Sequence, residues 1–208
     1  MPTLSAALLA TVALVGIALA FDFINGFHDA SNSIATVIST RTLKPYVALL
    51  SAAFFNFIAF LVFGLHVADT VGRGVIAAGI VDLPVIFGTL LGAIFWDLLT
   101  WRFGIPSSSS HALIGALVGA GLAKAGFSAV VWHGVSIIAA AIVISPVFGV
   151  LAAMSLMLAV SWTFRRASPF AVDRWFRVAQ VLSSSLLSLG HGGNDAQKTM
   201  GIIAVLLY

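Results

Sequence analysis

From Trp132 to Trp162 the chain contains no Asp, Glu, Lys or Arg. A helix needs roughly 20 apolar residues to cross the hydrocarbon of a bilayer, and this stretch exceeds that. Further apolar segments lie at 4–39, 46–66, 84–102 and 111–127. Only 8% of the 208 residues are charged and 61% are hydrophobic, whereas soluble domains carry about 25% charged residues. A soluble fold of this size cannot hide so much apolar surface, so the excess faces lipid. The expected class is an all-α, multi-pass integral membrane protein of the cell (inner or plasma) membrane.

Composition closes other routes. The absence of Cys rules out a disulfide or a thiolate metal site. The net charge of +3 is no nucleic-acid signal, because the bases fall mostly in short loops. The apolar start ends in Ala18-Leu19-Ala20, like a cleavage site, but no Lys or Arg precedes it. It is read as a membrane helix and not as a signal peptide.

Segment 4–39 is too long for one straight crossing, about 54 Å at 1.5 Å per residue. Its middle, Asp22 to Asp29, is polar and contains Gly26, so a broken helix is expected there. A short basic loop follows, then a helix at 46–66, a Gly-rich loop at 67–83, and Pro84 at the start of the next helix. Residues 84–127 form two helices around Pro106-Ser107-Ser108-Ser109-Ser110-His111. They are either two crossings or one re-entrant hairpin, and both return the chain to the same side. A long helix covers 132–162, with Pro146 inside it. A basic cytoplasmic loop is expected at 163–177, and a last helix, interrupted at Gly190 to Asp195, begins near 178. Placing the N-terminus outside leaves Arg41, Lys44, Arg165, Arg166, Arg174 and Arg177 inside, which satisfies the positive-inside rule. His66 and His133 fall near helix ends and read as interfacial residues.

The segments around Asp29 and Asp195 match in register: Gly26-Phe27-His28-Asp29-Ala30 against Gly192-Gly193-Asn194-Asp195-Ala196. The two helices run in opposite directions across the membrane. That is an inverted repeat, with residues 1–162 as the first copy and 178–208 as the start of the second. Secondary transporters commonly use this plan, with their sites near the midplane.

Three polar motifs carry chemistry. Asp22, Asn25, Asp29, Asn32 and Thr36 are spaced by three or four residues and share one helical face. Intramembrane carboxylates are costly and normally functional, so this stripe reads as an oxygen-rich site for a cation or proton. His28, beside Asp29, is placed to relay a proton. Ser107 to Ser110 precede a helix whose free N–H groups and partial positive charge suit a tetrahedral oxyanion. Asn194 and Asp195 repeat the first motif, and Lys198 is one turn from Asp195 and able to pair with it. Asp97 is read either as a proton carrier or as a partner of Arg102. Asn56 is expected to bond to the first helix. No Gly-x-Ser-x-Gly elbow accompanies the serines, so the chain is not expected to be an enzyme.

Together, Asn25 to Asn32 with Thr36, Pro106 to His111, and Gly192 to Lys198 resemble the inorganic phosphate transporter family, closest to its bacterial low-affinity branch. The resemblance spans almost the whole chain. It implies a symporter with a broken helix and a Ser/Thr-tipped re-entrant hairpin in each half. Phosphate would lie between the tips, with Ser107, Ser108, Ser109 and Ser110 forming the first. Coupling cations would lie beside Asp22, Asn25, Asp29, Asn32, Asn194 and Asp195. The implied partners are inorganic phosphate and the lipid bilayer, and a homodimer is compatible with it. No resident cofactor or bound metal is implied. The coupling ion is H+ or Na+, with a divalent metal travelling with phosphate as a further option. Animal sodium-coupled members tend to have Glu where Asn56 stands, which tilts the reading towards protons. The second hairpin is not in this chain, so a fragment is expected. The alternatives are a sulfate permease of the same fold and a non-transporting membrane subunit.

Overall fold

The computed structural model describes residues 4–63 and 74–207. Among these, six long α-helices account for nearly all of the chain: α1 (Leu4–Ser39), α2 (Pro45–Phe63), α3 (Leu83–Phe103), α4 (Ser109–Ala125), α5 (Trp132–Phe164) and α6 (Pro169–Leu207). Short 3-10 turns at Ala78–Ile80 and Gly126–Ala129 flank the α3–α4 hairpin. An isolated bridge joins Ile76 to Val130 near its base. Five segments are long and apolar enough to cross a membrane, and the protein is a multi-pass membrane protein. The fold is all-α. Residues 67–73 of the Gly-rich loop, including Arg73, lie outside the described residues, as does His66.

Two differences from the sequence reading concern helix continuity. The polar segment Asp22 to Asp29 lies within continuous α-helix, and so does Gly190 to Asp195 in α6. Polarity there belongs to the side chains: Asp22 accepts from Thr199 across to α6, and Asp29 and Asp195 accept from Asn32 and Lys198 of their own helices, so the backbone ladder need not open. The basic loop at 163–177 is also shorter than expected. α5 runs to Phe164 and α6 begins at Pro169, a residue that needs no N–H in a first helical turn. The Ser168 hydroxyl accepts a bond from the Ala171 N–H at 3.4 Å, and Arg177 pairs with Asp173 at 2.9 Å along the exposed first turns.

Each helix end near the hairpin has a local cause. Asp82 caps α3 by accepting from the Val85 N–H at 3.2 Å. Gly104 ends α3 in the left-handed region at φ 64°. Ser108 caps α4. At the base, the Lys124 ammonium reaches Asp82 at 2.6 Å and donates to the Ile80 carbonyl at 2.9 Å. That hydrogen bond holds the Asp82 carboxyl below its usual range. The arms of the hairpin meet through small residues, with Gly88 facing Ala120 and Gly92 facing Ala116. In lipid, where apolar burial does not drive helix pairing, such close backbone approach supplies the dispersion contacts.

α1 and α6 pack antiparallel, and α2 lies against both. Asp22 with Thr199, Ser33 with Ser184 and Thr40 with Gln180 fall on one antiparallel register. The largest buried cluster joins Leu14, Ala18 and Phe21 of α1 to Ile86, Leu90 and Ala93 of α3 and Leu113 of α4. α5 differs from the rest: it contributes no buried residue, and beyond Val135 and Ile138, which pack against the hairpin base, its apolar surface is largely exposed.

These contacts fix the depth of the hairpin. Trp101, near the end of α3, packs edge-on against Phe27 of α1 with ring centroids 5.6 Å apart. Ser110, at the start of α4, contacts Lys198 of α6. Lys198 lies close to the level of Asp22 in the α1–α6 register. About 18 Å of helix separates Phe27 from Ser39 at 1.5 Å per residue, so the tip turns back well short of the end of α1.

Gly192 marks the closest approach of α6 to α2. A Cβ there would lie 2.5 Å from the Asn56 Cα and 2.6 Å from its carbonyl oxygen. Backbone cannot swing aside as a side-chain end can, so Gly192→Ala should destabilise the fold by about 1–3 kcal/mol, the usual cost of overpacking. Gly16→Ala, where a Cβ meets nothing within 4 Å, is the control. Thermal unfolding of the two purified variants reads the difference, and equal melting temperatures would contradict the packing.

Candidate ion and oxyanion site

Near the middle of α1 the polar stripe faces α6. The Thr199 hydroxyl donates to Asp22 Oδ1 at 2.7 Å. Asp29 accepts from Asn32 Nδ2 at 3.2 Å, and His28 Nδ1 lies 4.0 Å from the same carboxylate. Across from Asp29, the His191 imidazole is 3.0 Å from Asp195 Oδ2, and Lys198 donates to Asp195 Oδ1 at 2.7 Å. One ligand atom each from Asp29, His191 and Asp195 lie within 4.8 Å of one another. Such a carboxylate–imidazole set has the chemistry of a hard-cation or proton site.

A cavity of about 550 Å³ opens beside these groups, between α1, α2 and α6. Asp22, Asn25, Asn56, His191 and Asp195 reach into it, with Phe57 and Phe60 of α2 on its apolar side. The amide oxygens of Asn25 and Asn56 are buried and lack a hydrogen-bond partner among the described residues. A buried acceptor without a donor is costly. Two such oxygens beside two carboxylates form a donor set that a small hard cation fits.

The hairpin tip is the second half of the site. Trp96 Nε1 donates to Ser107 Oγ at 3.0 Å, and the Ser108 hydroxyl accepts from the His111 N–H. Ser109 is buried, and its hydroxyl has no partner among the described residues. The Ser110 hydroxyl accepts from the Lys198 ammonium, which also holds Asp195. A smaller cleft lies against the tip, lined by Ser107, Ser108 and His111. Hydroxyls at a helix N-terminus can solvate an oxyanion without repelling it.

The sequence-predicted residues are not all drawn together. Asp22, Asn25 and Asp195 line the cavity, and Asp29 and Asn32 join it through the contacts above. Asn194 is exposed and does not line the cavity. Thr36 is also exposed, and its carbonyl serves Ser39 and Thr40 at the helix end. Asp97 is fully buried, and neither of its oxygens has a hydrogen-bond partner among the described residues. Arg102 is exposed, so the pairing read for these two is not formed. Asn56 packs against Gly192 of α6, and its amide oxygen makes no bond to α1.

The pairing of Lys198 with Asp195 expected from their spacing forms at 2.7 Å, whereas His191 and Gln180 are two participants that the sequence did not single out. His191 precedes Asp195 by four residues, and Lys198 follows it by three. Asn25 and Asn32 stand at the same offsets from Asp29, so the repeat carried the signal. The contact from Lys198 to Ser110 spans 88 residues and left no local trace. The Gln180 amide oxygen, which accepts from both Thr40 and Thr42 at 2.7 and 2.8 Å, ties α6 to the end of α1.

The site and fold define a helical membrane protein with paired carboxylates between its helices and a Ser-tipped helical hairpin beside them. The sequence model of the phosphate transporter family matches residues 25–208, and the chain belongs to that family. It is 66% identical over 197 residues to a probable low-affinity inorganic phosphate transporter of Rhizobium meliloti, covering 95% of this chain and 59% of the relative. It is 35% identical over 222 residues to a low-affinity inorganic phosphate transporter of Escherichia coli, covering 91% of this chain and 44% of the relative. The fold is that of a sodium-dependent phosphate transporter of known structure, with a TM-score of 0.74 at 22% identity, over 94% of this chain and 67% of the other. The chain thus spans about 60% or less of those two curated relatives.

The antiparallel register of α1 and α6 is directly testable, since the chain has no Cys. Cysteines introduced as Thr40→Cys and Gln180→Cys should be joined by a short bismaleimide in membranes. Thr40→Cys with Val172→Cys, about two turns further along α6, should not. Efficient linkage of the second pair alone would overturn the register.

Proposed function

We propose that the protein takes up inorganic phosphate by cation-coupled alternating access. The single observation that carries this reading is the Lys198 ammonium, which bridges the Asp195 carboxylate and the Ser110 hydroxyl at the hairpin tip. The carboxylate cavity and the oxyanion-suited tip therefore form one site. A cation held by Asp22, Asn25, Asp29 and Asn32 lowers the cost of bringing a phosphate dianion to Ser107–Ser110. The anion in turn strengthens cation binding, which is the reciprocity that coupling requires. H+ suits the His-flanked carboxylates, and Na+ suits the oxygen set of the cavity. A divalent metal travelling with phosphate would meet Asp29, His191 and Asp195. The second tip expected around the anion would come from the part of the relatives that this chain does not span.

Asp29→Asn in the full-length protein should reduce labelled phosphate uptake to the background of empty vesicles, while membrane insertion is unchanged. Normal uptake by that variant would sink the role of Asp29. Unlabelled sulfate should not compete with phosphate. Full competition would instead favour a sulfate permease, and absence of phosphate binding to the purified protein would favour a non-transporting subunit.

A further inference from the structure

The two Asp motifs are built alike but charged differently. Asp29 Oδ1 accepts from Asn32 Nδ2 at 3.2 Å, and Asp195 Oδ1 accepts from Lys198 Nζ at 2.7 Å. Both donors stand three residues after their Asp. Four residues before each Asp stand Asn25 and His191. Where the first copy of the repeat places neutral amides, the second places an ammonium and an imidazole. Asp195 therefore has a donor on each oxygen, Lys198 on Oδ1 and His191 on Oδ2. Asp29 accepts a hydrogen bond from an amide, with the His28 and His191 imidazoles farther off and no ammonium bonded to it.

We infer that Lys198 is a tethered cation that permanently fills one of two pseudo-equivalent ion positions. This inference rests on the functional reading above. The Lys198 ammonium bonds a carboxylate oxygen and the Ser110 hydroxyl, as a bound alkali ion would, but it cannot leave with the substrate. The charges facing the site are Asp22, Asp29, Asp195 and Lys198, with His28 and His191 beside them and the buried Asp97 of α3 within electrostatic reach of Asp29 and His28. Asp195 is neutralised from within the chain. A mobile cation is recruited only to the Asp22/Asp29 side. Fewer cations then travel with each phosphate than in a site where both motifs end in amides. The Lys198–Ser110 contact also links the filled position to the hairpin tip.

The test replaces Lys198 with the residue its repeat partner carries. In proteoliposomes of the full-length protein, Lys198→Asn should move one more positive charge per phosphate than wild type, read from the reversal potential. Either H+ or Na+ can supply that charge. Asp195→Asn combined with Lys198→Asn removes the carboxylate as well and should return the ratio to the wild-type value. An unchanged ratio in Lys198→Asn would overturn the inference. Where Lys198→Asn is inactive, its melting temperature decides. The single variant should unfold several degrees below wild type in choline, and sodium or acid should restore much of the loss. The double variant should be more stable than the single one in choline. Neither effect would mean that Lys198 contributes contacts and not charge, which also overturns it. A wild-type protein that takes up no phosphate would overturn the functional reading, and the melting arm would still decide the role of Lys198.

Discussion

Everything near the centre of this protein depends on one constraint: a carboxylate inside a bilayer needs a partner. The chain meets it by pairing α1 with α6 in antiparallel register. Asp22 is held by Thr199, and the Asp29 side of α1 faces His191 and Asp195. α6 carries serines, glycines and charges and is not among the segments apolar enough to span unaided. Its place against α1 and α2 follows from that polarity. Hydrogen bonds across membrane helices are each modest, about 1 kcal/mol. Here they recur along the shared length, from Asp22–Thr199 through Ser33–Ser184 to Thr40–Gln180.

That pairing sets the hairpin depth, and the depth gives the tip its chemical meaning. A Ser-capped helix start at the membrane surface would be an ordinary cap surrounded by water. The tip of α3–α4 instead stops beside Phe27 and Lys198. Ser109 is buried there and Ser107, Ser108 and Ser110 are partly buried, and under the proposed function a helix N-terminus shielded from water attracts an anion more strongly than an exposed one. Irregular backbone at membrane depth is tolerated where it is buried in protein or lines a cavity. The segment between α3 and α4 meets that condition through the Trp96–Ser107 bond and the cleft beside it.

Local features of this arrangement were legible in the sequence, and remote ones were not. The all-α class, the Pro84 and Ser108 helix starts and the carboxylate stripe depend on neighbours within one or two turns. Partner choice depends on residues far apart in the chain: Thr199 is 177 positions from Asp22, and Ser110 is 88 from Lys198. Asp97 shows the limit well. Its nearest oppositely charged residue in sequence is Arg102, yet packing buries the carboxyl and leaves the guanidinium exposed. The broken helices failed for a related reason. Polar residues in an apolar run suggest a fault in the backbone, yet Asp22 finds Thr199 on the facing helix, Asp29 and Asp195 find Asn32 and Lys198 on their own, and both helices stay continuous.

The two Asp segments match in register, and comparing them shows what they share and where they differ. Asp29 and Asp195 are common to both, so a carboxylate at each position belongs to the plan. Asn25 and Asn32 against His191 and Lys198 are not common, so charge balance is where the copies diverged. A symmetric site would treat its two motifs alike and would need a mobile ion at each. An ammonium fixed on one side breaks that equivalence without moving any helix, because Asn32 and Lys198 reach their carboxylates through the same three-residue spacing. Asn32 and Lys198 thus place an amide and an ammonium at matching offsets on two continuous helices, and under the tethered-cation proposal the polar stripe of α1 is the half left to bind an ion from solution.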